Sequence, residues 1–456
     1  MQKREKLGSR LGFILLSAGC AIGVGNVWKF PYMVAQNGGG AFVAVYLVCL
    51  LLMGVPVLTM EFSLGRAAQV SPVKLYQTLT PDKKPWRAHG WVSLAGNVLL
   101  MMFYTSVSGW ILYYFVHTLA GSFQGLDAAG VNRAFNEGLL GSAATTSLYA
   151  VFSVLLGCAV CSFGLRSGLE RVTKLMMVAL LAGFVLLAGY GLTLPGAREG
   201  MRFYLKPDFS KITFGTVVSA MNQSFFSLSI GMGSMAVFGS YIGKEKTLLG
   251  EAVHVVTLDT LAALLAGVVI IPACFSFHVA LDSGPNLLFV TLPNVFGGMR
   301  FGRLWGTLFF LFMSFAALST ILAVFENIVA CLRDITGWGR KKTCVVLGIA
   351  LSVLSLPCAL GFNALSFVTT LGKNKNIMDL EDFIVTNVIL PLGSLTNVLY
   401  CAHRFGWGWS RFIAEANTGT GVRFPKRLRW YCACALPALI LFLFVYGIVA
   451  YFAPGA

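Results

Sequence analysis

Long apolar segments alternate with short polar stretches along nearly the whole chain. A helix needs roughly 20 residues to cross a bilayer, and most of these segments reach that length. Eleven spans are predicted, near residues 11–34, 39–66, 90–120, 147–165, 172–194, 213–240, 250–279, 304–333, 342–361, 381–403 and 428–452. The pattern therefore predicts an all-α polytopic membrane protein. A polar tail leads directly into the first full-length span, so no cleavable signal peptide is expected.

The composition agrees with this pattern and excludes an ordinary soluble protein. Of the 456 residues, 57% are hydrophobic and 11% are charged, and the mean hydropathy is +0.77. The net charge of +16 would suggest a nucleic-acid partner in a soluble chain. Most of the 34 lysines and arginines, however, lie in segments on one side of the predicted membrane: the N-terminal tail, 66–90, 166–174, 244–246, 333–342 and 404–429. Because basic residues accumulate in cytoplasmic loops, we expect a cytoplasmic N-terminus, an external C-terminus and no nucleic-acid partner.

The first span contains an unusual concentration of glycine and polar residues. Gly19, Gly23, Gly25 and Asn26 occur where a plain membrane helix would carry leucine or valine. Each glycine weakens a helix by up to about 1 kcal/mol relative to alanine, and an asparagine in hydrocarbon needs a partner. One interpretation is a helix broken at membrane depth, where freed backbone groups line a binding cavity. The other is close helix packing through a small-xxx-small pair.

The sixth span repeats this feature. Gly231-Met232-Gly233 corresponds to Gly23-Val24-Gly25, 208 residues earlier, and each motif lies in the first helix of a five-helix set. Because five is odd, the second set enters the membrane from the opposite side, which makes an inverted repeat. Interrupted helices at corresponding positions of such repeats mark a transporter's binding site, so the binding interpretation is favoured. The predicted parts are the cytoplasmic tail 1–10, the repeats 11–194 and 213–403, and an additional transmembrane helix 428–452.

Two pairs of cysteines have the spacing of metal or redox sites. They are Cys158-x-x-Cys161 and Cys432-x-Cys434. Both pairs lie in apolar runs without a nearby histidine or acidic residue. Small buried hydrophobic side chains are therefore the favoured interpretation.

The longest motif in the chain is Gly23-Val24-Gly25-Asn26-Val27-Trp28-Lys29-Phe30-Pro31-Tyr32, followed by Asn37-Gly38-Gly39-Gly40-Ala41-Phe42. This combination resembles the neurotransmitter:sodium symporter family, in particular its bacterial amino-acid transporters. The resemblance runs from about Arg4 to the tenth span, and the lack of a twelfth span is similar to the shorter bacterial members. This family is itself among the known examples of interrupted helices around a midplane site, so that site is implied by the resemblance.

The resemblance implies two sodium sites made of oxygen ligands. The first would use Ala21, Asn26, Ser227 and Asp259, completed by the substrate carboxylate. The second would use Gly19, Ile22, Ala316, Ser319 and Thr320. Oxygen ligands suit a hard cation, and a helix broken at glycine supplies carbonyl oxygens without a protonatable group. Sodium is therefore the expected coupling ion, and no organic cofactor is expected.

The resemblance also implies a substrate pocket between the two breaks. The substrate carboxylate would face the Gly25 amide at a half-helix N-terminus, where the dipole favours an anion, and the Tyr104 hydroxyl. The full set of implied contacts is Ala21, Val24, Gly25, Leu100, Tyr104, Phe226, Ser227, Ser229, Gly231, Met232, Thr320 and Val324. The side chains that would surround the substrate side chain are apolar, which favours a hydrophobic or aromatic amino acid. Monoamine transporters carry an Asp where this chain has Gly23, so a substrate without its own carboxylate is not expected.

Gates on both sides of the pocket follow from the same resemblance. Lys29 and Asp382 would close the external side, and Arg4 and Asp334 would close the cytoplasmic side near Tyr241. Three residues depart from the family pattern: Lys29 replaces an Arg and loses its bidentate geometry, Leu7 replaces a Trp, and Val178 replaces a Pro in the fifth span.

The predicted function is sodium-coupled import of a hydrophobic or aromatic L-amino acid by alternating access across the plasma (inner) membrane. The alternatives are an amino-acid sensor that does not transport, and a symporter for a different amino-acid class. An enzyme is not expected, because the five histidines are scattered and no nucleophile–base pair lies within one span.

Chloride independence is also expected. Tyr46, Gln223 and Ser227 resemble the chloride neighbourhood of chloride-dependent relatives, but Ala263 stands where those relatives use Ser. Asp259 stands where they use Asn, and a fixed carboxylate can replace the charge of the anion in a low-dielectric site. The alternative is a protonated Asp259 that is only hydrogen-bonded in the bundle. If the two forms alternate during the cycle, the protein would also exchange protons.

Overall fold

The computed structural model describes residues 5–279, 285–370 and 375–452. Within these residues the chain is almost entirely helical, and the only extended pairings are the isolated bridges Gly39–Pro207 and Lys246–Thr420. Nine helices in the described part of the chain are long and apolar enough to cross a membrane, and a tenth span is formed by two helices bent by 65° at a break. The all-helical polytopic class predicted from the sequence is confirmed.

The spans follow the predicted order closely. The nine uninterrupted helices are Gly40–Ala68, Lys84–Ala120, Ala143–Ser162, Leu165–Gly191, Leu248–Phe277, Gly302–Thr336, Arg340–Leu360, Ile377–Ala402 and Lys426–Phe452. The bent first span consists of Arg10–Ala21 and Val24–Gln36. The predicted sixth span is divided into Phe214–Ser227 and Ser234–Gly239, and neither half is long enough to cross alone. With that pair included, a helical segment corresponds to each of the eleven predicted spans, which we number in chain order.

The first span breaks at the glycine cluster because the backbone becomes extended there. The helix ends at Ala21, and Ile22 has φ −72° and ψ 92°. Gly23 is also extended, with φ −121° and ψ −170°, before a short helical turn begins at Val24. The carbonyl groups of the last turn therefore lose their helical partners and become available to a ligand.

The sixth span breaks by a different backbone route. Ser229, Gly231 and Gly233 have φ values of 49°, 94° and 78°. These values belong to the left-handed region, which glycine adopts freely and serine rarely does. Three left-handed residues in alternation prevent a right-handed helix from continuing through residues 228–233.

Both breaks lie in the interior of the bundle. The first half of the first span packs against the seventh and eighth spans, and the second half of the sixth packs against the second span. Residues 12–21 are buried. The eleventh span lies at the periphery, because only 28% of its apolar window is buried, against 72% for the eighth span.

The ends of the spans define two sides of the molecule. The N-terminal side carries residues 5–9, which contact Glu170 of the fifth span and Arg333 of the eighth. The far side carries the bridge between Gly39 and Pro207. The eleventh span ends on the far side, because the Tyr451 ring packs 4.0 Å from that of Phe383 at the start of the tenth span. The two ends of the described chain thus lie on opposite sides, as an odd number of spans requires.

Candidate ion and substrate site

The two breaks and the third span meet at one point in the bundle. The Ser229 hydroxyl donates a hydrogen bond to the Cys20 carbonyl at 3.4 Å, which links the unwound residues of the sixth span to the end of the first helix. The Val24 amide donates to the Tyr104 hydroxyl at 3.3 Å. A Cβ on Gly23 would lie 3.0 Å from that hydroxyl and 3.1 Å from Thr320 Oγ1. The residues predicted from the two glycine clusters therefore surround a common centre.

The structure brings together three side chains of the predicted first sodium set. Asn26 Nδ2 donates to Asp259 Oδ1 at 2.7 Å, and Ser227 lies beside the same carboxyl group. The Ser227 hydroxyl also shares a hydrogen bond of 3.1 Å with the Tyr46 hydroxyl. Asp259 Oδ2 is buried and has no hydrogen-bond partner among the described residues. A buried carboxylate oxygen without a partner is costly unless a cation or proton compensates it, so this arrangement fits a monovalent cation.

Four residues of the predicted second sodium set are also in contact. Thr320 Oγ1 lies 3.3 Å from the carbonyl oxygens of Gly19 and Ala316. Ser319 Oγ donates to the Ala316 carbonyl at 2.9 Å. A Cβ on Gly19 would lie 3.3 Å from the Ser319 Cβ, so the absence of a side chain permits the first and eighth spans to approach closely. The carbonyl and hydroxyl oxygens of this contact form a donor set suited to sodium, and Ile22 lies at the adjacent helix end.

The predicted substrate-contact side chains form an apolar surface between the breaks. Met232 is buried in a cluster against which Leu100, Tyr104 and Phe226 pack. A Cβ on Gly25 would overlap the Phe226 ring, so glycine is required for this approach. Val24 and Val324 belong to the adjoining main core. The side chains of Leu100, Phe226 and Met232 are apolar, so the surface suits an apolar ligand group.

The polar side chains that hold the break in the sixth span were not predicted from the sequence. The Glu61 carboxylate accepts a hydrogen bond of 2.8 Å from the Gly231 amide. Three further side chains, Ser93, Asn97 and Asn327, donate to the Met232 carbonyl. Polar residues within membrane spans are a signal of function, and that signal was available in the sequence.

The two side chains predicted to close the external side, Lys29 and Asp382, each have another direct contact in this structure. The Lys29 ammonium lies 3.8 Å from the centroid of the Phe226 ring, and Asp382 accepts a hydrogen bond of 2.9 Å from Thr386 Oγ1. Among the described residues, Lys29 and Asp382 do not form an ion pair within 4.0 Å. The flexible lysine stem allows the ammonium to lie over an aromatic face, where cation–π attraction holds it. In this structure the Lys29 ammonium therefore contacts Phe226, and the gate role of Lys29 and Asp382 stays a prediction.

The other predicted gate residues belong to the N-terminal side of the molecule. Arg4 lies outside the described residues. Asp334 accepts a hydrogen bond of 2.7 Å from the Ser71 amide. The Tyr241 hydroxyl donates to Glu326 at 2.6 Å. Glu326 was not predicted as a gate residue.

A charged network surrounds Glu326 on this side of the bundle. Arg340 donates to the Glu326 carboxylate with both terminal nitrogens, and the carboxylate side chain is only 1% exposed. Glu5 bridges to Arg333 at 2.7 Å and to Arg340 at 3.5 Å. Burial raises the pKa of Glu5, but the guanidinium groups of Arg333 and Arg340 together lower it by more than burial raises it. The pKa of Glu5 therefore lies below its ordinary value. This contact therefore stabilises the attached tail at neutral pH and is lost as the pH falls through the lowered pKa.

Comparison with known proteins accounts for this arrangement. The model of the sodium:neurotransmitter symporter family matches residues 4–139 and 136–455. The chain belongs to this family. Its relatives include the uncharacterized sodium-dependent transporter YhdH of Bacillus subtilis (strain 168), 35% identical over 454 residues that cover 99% of each chain. The uncharacterized sodium-dependent transporter MJ1319 of Methanocaldococcus jannaschii is 32% identical and covers 89% of this chain and 82% of its own length.

A solved member of the symporter family has the same fold. The crystal structure of MhsT in complex with L-phenylalanine superposes with a TM-score of 0.87, at 36% sequence identity, over 97% of this chain and 100% of MhsT. The chain is therefore a multi-pass membrane protein of a family of sodium-dependent transporters for small molecules, and it is not an enzyme. The family predicted from the glycine motifs is confirmed.

Proposed function

We propose that this symporter imports a hydrophobic or aromatic L-amino acid together with sodium by alternating access. The observation that carries the proposal is the apolar surface of Leu100, Tyr104, Phe226 and Met232 between the two helix breaks. The similarity to MhsT, whose structure contains L-phenylalanine, supports the same class of substrate. A substrate carboxylate would lie near the start of the helix at Val24 and the Tyr104 hydroxyl.

Sodium would act by binding rather than by chemistry. An ion between Asn26, Ser227 and Asp259 joins the first, sixth and seventh spans, and an ion beside Thr320 joins the first and eighth. A ligand shifts a conformational equilibrium by its difference in affinity for the two states. Because the ion beside Thr320 would hold the first span against the eighth, we propose that sodium stabilises the state closed on the N-terminal side. With the N-terminus in the cytoplasm, this state accepts substrate from outside.

Uptake by the purified protein in proteoliposomes tests the substrate class. We expect leucine, methionine, phenylalanine and tryptophan to compete with labelled L-phenylalanine under an inward sodium gradient, because Met232 is an adaptable apolar contact. Glycine and glutamate should compete weakly, since neither offers an apolar side chain.

Two results would contradict the proposal in different ways. Competition of similar strength by glutamate or GABA would exclude an apolar pocket. Sodium-dependent binding without uptake under the gradient would favour the sensor alternative. A liposome preparation with equal sodium on both sides is the control for gradient-driven accumulation.

A second sodium site beside Thr320 is also proposed. Thr320→Ala removes one oxygen from the contact between the first and eighth spans. The apparent affinity for sodium, measured through sodium-dependent substrate binding, should therefore fall by about tenfold, the scale of one hydrogen bond to a charged group. The concentration dependence of substrate binding on sodium measures this effect.

Ser314→Ala is the matched control, because Ser314 is buried on the same span and donates only to the Phe310 carbonyl of its own helix. An unchanged sodium dependence in Thr320→Ala would remove Thr320 from the sodium site. An equal change in both variants would indicate a general effect of lost hydroxyls.

The role of Asp382 in the far-side gate gives a further prediction. Asp382 contacts Thr386 rather than Lys29 in this conformation, so any pairing with Lys29 must form and break during the cycle. An exposed ion pair contributes only about 0–1 kcal/mol, which suits such a transient contact. Asp382→Asn should therefore slow uptake more than it weakens substrate binding, measured side by side at saturating sodium. Lost binding with normal turnover would instead place Asp382 in the binding site.

A further inference from the structure

The Met232 carbonyl is held by three side chains that neither sodium site uses. It accepts hydrogen bonds from Asn97 Nδ2 at 2.7 Å, from Asn327 Nδ2 at 3.1 Å and from the Ser93 hydroxyl. Ser93 and Asn97 lie on the third span and Asn327 on the eighth, and all three are at most 1% exposed. We call Ser93, Asn97 and Asn327 the Met232 cradle.

The cradle exceeds what hydrogen-bond satisfaction alone requires. A carbonyl oxygen has two lone pairs, and one partner is enough to satisfy a buried backbone group. Polar side chains within a membrane are costly, and those retained there mark functional positions. Hydrogen bonds through Ser234 also connect two members of the cradle to each other. Ser234 Oγ contacts Asn97 Oδ1 at 3.3 Å and Asn327 Nδ2 at 3.1 Å. The network therefore fixes the position of this carbonyl from two spans at once.

The side chain of the same residue forms part of the apolar substrate surface. Met232 packs in the cluster with Leu100, Tyr104 and Phe226. Its terminal methyl lies 3.5 Å from the position of a Cβ on Gly96, the residue next to Asn97. A methionine side chain is unbranched and flexible, so it does not fix its own position. The distance that it reaches into the pocket depends on where its backbone is held.

We propose that the Met232 cradle determines the size selectivity of the substrate pocket by fixing the backbone that carries Met232. This inference rests on the proposed transport of apolar amino acids. Ser93, Asn97 and Asn327 are positioning residues, because they act through Met232 and the substrate contacts the methionine side chain. Without the cradle, Glu61 still holds the Gly231 amide, but the Met232 carbonyl loses its three side-chain donors and can shift between the two left-handed glycines at 231 and 233.

The expected effect is a loss of discrimination rather than a loss of binding. A well-defined apolar pocket separates side chains that differ by one methylene by about 10- to 200-fold. Without the cradle, the Met232 backbone adopts several positions, and substrates of different size fit more equally. The spread of inhibition constants should contract by about threefold to tenfold, the scale of one buried hydrogen bond.

Inhibition of labelled L-phenylalanine uptake by alanine, leucine, phenylalanine and tryptophan measures this spread. The variants are Asn97→Ala, the milder Ser93→Ala, Met232→Ala, and each cradle variant combined with Met232→Ala. Thr105→Ala is the matched control, because Thr105 is buried on the third span and donates only to the Met101 carbonyl of its own helix. If Asn97→Ala does not fold, the inference is tested with Ser93→Ala alone, because that variant loses only one hydroxyl group.

The double variants decide whether the cradle acts through Met232, since coupled residues give non-additive effects. We expect the cradle variants to contract the spread in the native background and to have no further effect in the Met232→Ala background. An unchanged spread in Asn97→Ala and Ser93→Ala, or an equal contraction with and without Met232, would overturn the inference while native transport of amino acids persists. If no amino acid inhibits the native chain, the proposed function itself fails.

Discussion

Replacing Asp259 with asparagine is expected to make uptake depend on chloride. The native chain should transport equally well in chloride and in gluconate if, as we propose, the Asp259 carboxylate supplies the negative charge that chloride supplies in chloride-dependent relatives. In Asp259→Asn, uptake in gluconate should be lost or nearly lost, and chloride should restore part of it. This is one of the two largest effects that we expect from a single substitution.

The physical reason lies in the environment of the carboxylate. Asp259 is fully buried, its Oδ1 accepts from Asn26, and its Oδ2 has no hydrogen-bond partner among the described residues. Both polar atoms of the Gln223 amide are likewise buried without a partner there. Removing one member of a buried charge pair costs about 3–5 kcal/mol, or roughly 100-fold or more in apparent sodium affinity. An anion near Tyr46, Gln223 and Ser227 could offset that cost.

Asp208→Asn is the matched control, because it makes the same substitution at an exposed position in a far-side loop. Uptake is measured with sodium gluconate or sodium chloride as the only salt. Native transport that stops without chloride would refute the idea, whatever the variant does. Asp259→Asn with normal transport in gluconate would show that the carboxylate does not carry the compensating charge.

The same site separates symport from additional proton exchange. If Asp259 takes up a proton on the sodium-free return, sodium-driven uptake should move protons outward, and a pH-sensitive dye inside the proteoliposomes would record internal alkalinisation. Asp259→Asn would abolish that signal even where chloride restores uptake. If the native chain gives no proton signal, Asp259 does not take up a proton during the transport cycle and stays charged throughout.

The fold was predictable from the sequence because its determinants are local. Runs of apolar residues specify the spans, and the helices end at Ala21 and Ser227, beside the two glycine clusters. Asn26 and Asp259 are 233 positions apart in the chain, and no local sequence pattern predicts that two such distant residues are in contact. Their contact was implied only by the family resemblance. Those features that depend on composition or on a specific motif were therefore accessible before the structure.

The features that were not predicted depend on how distant spans are aligned. The Lys29 ammonium lies over the Phe226 ring, a cation–π contact that depends on how the first and sixth spans are aligned. The Met232 cradle requires the third, sixth and eighth spans to be in one register, which hydrophobicity does not encode. Ser229 adopts a left-handed conformation that is rare for serine, and only the packed structure imposes it.

Arg340→Met is expected to have a comparably large effect on the opposite side of the transport pathway. The substitution removes the guanidinium that neutralises Glu326, and it also removes one of the two cations that hold Glu5. Leaving a buried carboxylate without its cation costs about 3–5 kcal/mol. The state closed on the N-terminal side should lose that free energy relative to the open state, in which water reaches Glu326. Uptake should fall at least tenfold, because sodium then no longer suffices to restore the closed state.

Accessibility of the tail distinguishes this shift from simple unfolding. Leu7 packs against the core in this structure. Among the described residues only Cys434 is an exposed cysteine. In a Cys434→Ser background, a maleimide should label Leu7→Cys faster when Arg340→Met is present, whereas the exposed neighbour Lys341→Ala should leave the rate unchanged. The double variant Arg340→Met with Glu326→Gln removes both charges and keeps an acceptor for Tyr241, so it should restore slow labelling in part. Equal labelling in the single and double variants would mean that the buried charge of Glu326 does not hold this side closed.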